Sequence, residues 1–416
     1  MSSHLPCPEP SLSRLESHLK SEGYTPGSRR NCLSEARRFL EYLAERDIAV
    51  EAAAPSDVSR YLRQELRRYR QRHGHPPGSV HNWRGVHASY VSMLLGVVKG
   101  SWPPIAGPST PLEAFQQQLC QGYVQWLSTV RGLAATTICA RCAEASRFLA
   151  WLGEASQQLS QLDTTATDGY LRSRASSSGR RSRKLIATQL RSFLRYLHAS
   201  GRIGCDLAVA VIAPKVYAFE TIPSALRPQD VQAVLETTRQ DRSAKGLRDY
   251  AMLMLLSTYG LRAGEVIGLR LEDVDWRKQT LRIRHSKTGA ESFLPLLGSV
   301  GEAILAYLCS GRPKTQAREI FMRTCAPNRP LGRHSGLHHA VQDRLQKAGV
   351  HPPGKSGPHA FRHARAVSLL RAAVPVKQIG DILGHRSSAS TTTYLKLATE
   401  DLRAVALEIP GEARVS

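Results

Sequence analysis

The chain has 416 residues, and its 57 Lys and Arg exceed its 34 Asp and Glu, which gives a formal net charge of +23. This length predicts two or three domains, and a hydrophobic share of 42% is enough to give each a core. No apolar run approaches the ~18 residues that a membrane-spanning helix needs, and residues 1–10 lack the apolar core of a secretion signal. We therefore expect a soluble, cytoplasmic protein with no membrane partner, and its charge favours nucleic acid as the partner.

Eight cysteines are spread through the chain and predict neither a disulfide framework nor a metal centre. Cys139 and Cys142 form a single C-x-x-C pair, and no second pair or nearby His completes a zinc site. We therefore expect no metal and no cofactor.

Two stretches rich in proline, 99–111 and 213–227, divide the chain into segments of about 1–100, 112–210 and 226–416. The first two segments resemble each other. Residues 23–43 align without gaps onto 132–152, at a shift of 109 positions, so that Glu35 matches Glu144. The same shift carries Tyr61 onto Tyr170. This self-similarity predicts a duplicated helical module.

Each of the two copies contains a cluster of basic residues. The clusters are Arg67, Arg68 and Arg70 in the first copy, and Arg180, Arg181, Arg183 and Lys184 in the second. Runs of this kind are usually solvated surface charge. Together with the overall charge, they favour contacts with the phosphate backbone of DNA.

The third segment mixes two periodicities. Residues 230–235, 250–256, 301–308 and 337–348 have helical patterns. Residues 281–285 alternate apolar and basic side chains, and a glycine-containing turn separates them from 292–296. This pattern predicts a short antiparallel hairpin.

The third segment also contains the groups needed to break a phosphodiester bond without a metal. That reaction needs a nucleophile, cations for the non-bridging oxygens and an acid for the leaving oxygen. Gly260 interrupts the helical pattern, which predicts that Arg262 begins the next helix. Glu265 lies three residues later, on the same side of that helix. His359 and Arg362 have the same spacing. Candidates near the carboxyl end are His385, after a helix-ending Leu-Gly, and Tyr394, nine residues further on.

In this order and at these distances, the motifs resemble the catalytic domain of the tyrosine recombinases, also called the phage integrase family. The marks are R-x-x-E at Arg262, H-x-x-R at His359, L-G-H at Leu383 and a tyrosine nine residues after His385. The resemblance covers about residues 226–405. Residues 112–210 are more loosely similar to the family's helical core-binding domain.

The resemblance implies a role for each motif residue. Arg262 and Arg362 clamp the scissile phosphate, with Glu265 bracing the arginines. His359 acts as a base or as a phosphate donor. Lys287, on the hairpin turn, gives a proton to the leaving 5′ oxygen, and His385 holds the phosphate. Tyr394 attacks the phosphorus and forms a 3′-phosphotyrosyl bond, so neither ATP nor a metal is required.

The resemblance also implies an architecture and partners. We expect a mainly α protein: helical DNA-binding modules, followed by a mostly helical catalytic domain with a small antiparallel β-sheet. Four protomers would assemble on two double-stranded DNA sites, possibly with partner recombinases. The extra module, 1–100, would add a DNA clamp or a protein contact, and it favours integration or transposition of a mobile element. A type IB topoisomerase-like relaxer and a catalytically inactive DNA-binding regulator stay open as alternatives.

Overall fold

The computed structural model describes residues 9–104, 107–155, 158–176, 178–217, 225–285, 289–332, 336–352, 354 and 356–384. Backbone contacts group the chain into two compact units. One unit combines Met1–Pro103 with Thr221–Ser416, and the other is Pro104–Glu220. The apolar side chains form a separate large core within each of the three segments. The division into three modules stays a prediction.

The first segment is a bundle of four helices: α1 (Glu9–Ser21), α2 (Pro26–Ala44), α3 (Pro55–His73) and α4 (Val80–Lys99). Proline occupies the first turn of α2 and α3, where its missing N–H leaves no helical bond unmade. Gly74 ends α3 with φ 72°, in the left-handed region. The core of the bundle contains Phe39, Tyr61 and Leu94, which are almost fully buried.

The described residues of the unit Pro104–Glu220 also form four α-helices: α5 (Pro111–Thr129), α6 (Ala135–Glu154), α7 (Thr164–Ala175) and α8 (Arg180–Ala199). Thr110 and Asp163 cap α5 and α7 through their side-chain oxygens. Helix α4 ends at Lys99 and α5 begins at Pro111, so the predicted linker 99–111 connects these two helices. Phe148, Tyr170 and Phe193 fill the core of this unit.

The same buried contact occurs in both four-helix bundles. The Tyr61 hydroxyl donates to Glu35 Oε1 at 2.9 Å, and the Tyr170 hydroxyl donates to Glu144 Oε1 at 2.6 Å. Each tyrosine ring also meets a phenylalanine edge-on, with centroids 5.1 Å apart in the first bundle and 5.0 Å in the second. A buried carboxylate needs such hydrogen-bond donors, and both copies of the repeat contain the glutamate together with its tyrosine. The equivalent residues of the two contacts, Glu35 and Glu144 or Tyr61 and Tyr170, are 109 positions apart, the shift found in the sequence.

The third segment is mostly helical, with one small sheet. Its elements are α9 (Pro228–Gln240), α10 (Ala244–Tyr259), α11 (Ala263–Ile267), β1 (Val274–Asp275), β2 (Thr280–Arg284), β3 (Glu291–Pro295), α12 (Gly298–Ser310), α13 (Gly336–Lys347), α14 (Pro358–Arg371) and α15 (Val376–Ile382). The predicted helices and hairpin are present; α9, α10 and α12 are longer than their sequence patterns, and α13 is shifted by one residue. The sheet is antiparallel in the order β1-β2-β3, with Arg282 opposite Phe293. The predicted fold class is confirmed.

Helix α10 is the centre of the third segment's core. Its residues from Ala251 to Leu256 are all buried, because α9, α12 and α14 pack around it. A helical stretch that is apolar on every side, as residues 251–256 are, is stable only when other elements enclose it. It therefore gives a rigid base for Gly260 and Arg262, which follow its last turn. No helix in the described ranges is both long and apolar enough to cross a bilayer.

Candidate active site

Arg262 lies at the junction between α10 and α11. Gly260 ends α10 with φ 66°, and Arg262 is the N-cap residue of α11. The carboxylate of Glu265 accepts from the Arg262 backbone N–H at 2.8 Å and from its Nη1 at 2.8 Å. The predicted helix start is therefore correct, but its amino end already binds the carboxylate of Glu265. Glu265 fixes both the backbone and the guanidinium of Arg262.

Arg362 is buried on α14, with 3% of its surface exposed. Its Nη1 donates to the Gly260 carbonyl at 2.7 Å, and its Nη2 donates to the Leu383 carbonyl at 2.6 Å. A buried guanidinium needs such acceptors because its desolvation is costly. Arg362 therefore connects α14 to the end of α10 and to the end of α15.

The two arginines meet at one short piece of backbone. Arg262 Nη2 donates to the Gly384 carbonyl at 2.8 Å, next to the Leu383 carbonyl that Arg362 binds. Gly384 has φ 62°, in the left-handed region that favours glycine. Residues 122 positions apart in the sequence are thereby joined. The three sequence boxes at Arg262, Arg362 and Leu383–Gly384 come together in space.

His285 also belongs to this group, and the sequence reasoning did not single it out. Its Nδ1 lies 2.8 Å from Glu265 Oε1, and its Nε2 lies 2.7 Å from Ser292 Oγ on β3. The ring is 7% exposed and lies against Gly384, where an added Cβ would come within 2.7 Å of it. The only signal in the sequence is the place of His285, two residues before Lys287 at the end of a strand.

The surroundings set the charges of two further groups. Burial alone would raise the pKa of Glu265, but hydrogen bonds from His285 and Arg262 hold it below its ordinary value. Glu265 is therefore a carboxylate at neutral pH. Burial, helped by nearby His359 and Arg362, lowers the pKa of His363 to about 4. His363 is consequently a neutral imidazole beside the arginine.

His359 lies on the outer side of the same helix. Its ring is exposed, and its centroid is 6.0 Å from that of His363 on the next turn of α14. Arg362, three residues along, is buried, so α14 presents an exposed imidazole next to a buried guanidinium. Lys287, His385 and Tyr394 lie outside the described residues.

The predicted DNA-contacting residues are exposed in both bundles. Arg67, Arg68 and Arg70 lie on the last two turns of α3, and Arg180, Arg181, Arg183 and Lys184 begin α8. Arg68 forms an ion pair with Glu65 at 2.8 Å. Arg183 donates to the Ser178 carbonyl at 2.7 Å and to the Ala175 carbonyl at 2.8 Å. The Arg68 guanidinium therefore also stabilises α3, and the Arg183 guanidinium also binds the backbone that connects α7 to α8.

Comparisons with known proteins place this geometry in a family. The sequence profile described as "Phage integrase family" matches residues 224–401. The putative integrase/recombinase y4gC of Sinorhizobium fredii is 60% identical over 190 residues, which are 46% of this chain and 97% of that protein. The putative integrase/recombinase y4rA of the same species is 37% identical over 299 residues, 72% of each protein. Tyrosine recombinase XerD of Mycobacterium tuberculosis is 30% identical over 304 residues, 68% of this chain and 94% of that protein.

Solved structures agree at the level of the fold. XerH recombinase in a post-cleavage complex with its difH substrate matches with a TM-score of 0.57 and 14% identity, over 73% of this chain and 98% of that one. A lambda integrase tetramer on a Holliday junction matches with a TM-score of 0.53 and 19% identity, over 74% and 86%. The chain belongs to the phage integrase family and is a tyrosine recombinase. The predicted family and enzyme class are confirmed.

Proposed function

We propose that this recombinase cuts and rejoins duplex DNA at a specific site through Tyr394, and that it integrates or transposes a mobile element. The observation that supports the site is the meeting of Arg262 and Arg362 at the consecutive carbonyls of Gly384 and Leu383. His385 follows Gly384 directly, and Tyr394 follows nine residues later. His385 and Tyr394 therefore follow the backbone carbonyls that the two arginines bind, within ten positions of Gly384.

The proposed chemistry follows from the charges of these groups. As the Tyr394 oxygen attacks phosphorus, negative charge grows on the two non-bridging oxygens, and the guanidiniums of Arg262 and Arg362 neutralise it. His359, exposed at the start of α14, takes the phenol proton or binds a phosphate oxygen. Lys287 protonates the leaving 5′ oxygen, and His385 donates to the phosphate. The 3′-phosphotyrosyl bond keeps the energy for rejoining.

The two helical bundles are the proposed DNA clamp, and the first bundle has an enlarged basic surface. Helix α3 has 19 residues and α7 has 12, although both begin at equivalent positions of the repeat. The additional residues, 67–73, include four arginines and no acid, and no Asp or Glu occurs from residue 66 to 112. A surface of this charge suits phosphate contacts along duplex DNA. This extension supports a clamp role for the first bundle.

The clamp proposal is tested by the salt dependence of DNA binding. A variant with Arg67→Gln, Arg70→Gln and Arg72→Gln loses three cations, and the described part of the chain shows no ion pair to any of them. The slope of log K against log salt should fall by about 0.9 for each phosphate that these side chains neutralise in the wild-type complex. The matched control replaces the same three residues with Lys and should keep the slope. An unchanged slope in the Gln variant excludes the phosphate contacts.

The assembly and the process are part of the proposal. Four protomers would bind two DNA sites, as in the lambda integrase tetramer on its junction, and partner recombinases would be optional. Two of the relatives named above, y4gC and y4rA, are putative integrases or recombinases, which supports a role in mobile DNA. Light scattering of the protein bound to its site would measure the stoichiometry, and a bound monomer would contradict the tetramer.

The reaction is tested with a DNA pool that does not require the target sequence to be known. A pool of nicked duplexes with a randomised centre lets a cleaved fragment diffuse away, which traps the covalent complex for recovery and sequencing. Wild-type protein should enrich one sequence, and Tyr394→Phe should recover none. Relaxation of plasmids that lack this sequence would favour the topoisomerase alternative. A specific but only non-covalent complex would favour the inactive regulator.

A further inference from the structure

His285 is fixed at the base of the hairpin turn through its backbone and its ring. Its N–H donates to the Ala290 carbonyl at 2.9 Å, and its carbonyl accepts from the Gly289 N–H at 2.9 Å. Both ring nitrogens are engaged as well, Nδ1 at 2.8 Å from Glu265 and Nε2 at 2.7 Å from Ser292. The two residues that flank Lys287 and its neighbours, His285 and Gly289, are therefore hydrogen-bonded to each other.

The ring contacts give the hydrogen positions of His285. A carboxylate only accepts hydrogen bonds, so Nδ1 carries a hydrogen and donates to Glu265. In the neutral ring, Nε2 then accepts from the Ser292 hydroxyl. Glu265 in turn binds the backbone and guanidinium of Arg262. One chain of hydrogen bonds therefore runs from the hairpin, through His285 and Glu265, to the arginine that would bind the phosphate.

His285 also touches the segment that precedes His385. An alanine Cβ in place of the Gly384 hydrogen would lie 2.7 Å from the His285 ring, so the backbone approaches the ring as closely as glycine allows. The Gly384 carbonyl is the acceptor for Arg262. The ring therefore connects the end of β2 and Ser292 on β3 to the arginine site.

We propose that His285 is a positioning residue for leaving-group protonation, which holds the two residues that flank the segment 286–288, His285 and Gly289, in register with Arg262. This inference rests on the proposed role of Lys287. In the step concerned, the bond between the Tyr394 oxygen and phosphorus forms and the bond from phosphorus to the 5′ oxygen breaks. The 5′ oxygen takes its proton from the Lys287 ammonium. Removing the hydrogen bonds of the His285 ring releases the strand ends that flank Lys287, so that protonation becomes slow and the poor alkoxide leaving group limits the rate.

A substrate with sulfur in place of the bridging 5′ oxygen tests this role directly. A thiolate leaves without being protonated first, so a defect confined to the proton donor disappears on this substrate. On ordinary DNA, His285→Leu should slow single-turnover cleavage about 100-fold or more, the usual share of acid catalysis. On the sulfur substrate it should cleave within a few-fold of wild type. Lys287→Ala should show the same pattern.

Two further variants separate positioning from general damage. His285→Gln keeps a donor and an acceptor for Glu265 and Ser292, and it should restore most of the activity on ordinary DNA. Arg344→Lys disturbs the ion pairs of a buried arginine with Asp241 and Asp249, so it should lower the folded fraction and thereby decrease cleavage of both substrates by the same factor. An equal decrease for His285→Leu on both substrates, or no decrease on either, overturns the inference. If wild-type protein forms no covalent complex on either substrate, the proposed function itself fails.

Discussion

Arg362 Nη1 donates a 2.7 Å hydrogen bond to the carbonyl oxygen of Gly260, a residue 102 positions earlier in the chain. Gly260 precedes Arg262 by two residues, so this bond connects the backbone of the first arginine box to the side chain of the second. The other terminal nitrogen of Arg362 binds Leu383. The proposed phosphate site therefore depends on backbone carbonyls that hold charged groups in place before DNA binds.

The backbone of Gly260 should tolerate no side chain. Gly260→Ala places a Cβ 2.7 Å from Leu383 Cδ2 at a residue with φ +66°. The left-handed conformation costs roughly 1–2 kcal/mol, and the crowding adds about 1–3 kcal/mol. We expect a lower melting temperature and loss of cleavage. Gly74→Ala is the matched control, since its φ is +72° and nothing lies within 4 Å of its added Cβ. It should lose only the roughly 1–2 kcal/mol of the left-handed conformation, without the crowding, and cleave normally.

Arg362→Lys should lower single-turnover cleavage about 100-fold or more, the usual effect of removing one charge-stabilising donor. A lysine keeps the charge but cannot bind Gly260 and Leu383 while also binding phosphate. Arg344→Lys, at an equally buried arginine of the same segment, serves as the control for stability. It should lower the melting temperature yet cleave at the wild-type rate per folded molecule. Equally slow cleavage in both variants would exclude a special role for Arg362.

His363 should make the protein less stable in mild acid. Its pKa is lowered to about 4 in the folded chain, from an ordinary 6.5, so between these values the unfolded chain binds the additional proton. Stability is therefore full above pH 6.5 and falls as the pH drops towards 4. Between pH 7 and pH 5 the decrease is about 2 kcal/mol. Urea unfolding at both values should show a smaller decrease in His363→Gln, and identical decreases would contradict this.

The repeated Glu–Tyr contact should contribute equally in the two bundles. Tyr61→Phe and Tyr170→Phe each leave a buried carboxylate without one donor, which costs about 1–3 kcal/mol. Tyr69→Phe is the control, because the described part of the chain shows no partner for its hydroxyl. Thermal melts should show a lower transition temperature for the first two variants and an unchanged one for the third. A decrease in only one of the first two would indicate that the copies have diverged.

The sequence was informative where the relevant pattern is local. Helix α10, the hairpin and the start of α11 at Arg262 follow from periodicity, turn residues and Gly260. The contacts of His285 are not local, because they depend on the strand register that places Ser292 beside its ring and on Gly384, which follows α15. The contact between Glu265 and Arg262 is local, because the two residues are three positions apart at the start of α11, and the sequence placed them on the same side.

The most direct measurement identifies the amino acid that becomes linked to DNA. Covalent complexes trapped on nicked DNA would be digested with protease and nuclease, and the peptide that retains a nucleotide would be sequenced by mass spectrometry. The account predicts a single modified residue, Tyr394, joined to a 3′ phosphate. A nucleotide on any other residue, or on a 5′ phosphate, would contradict it.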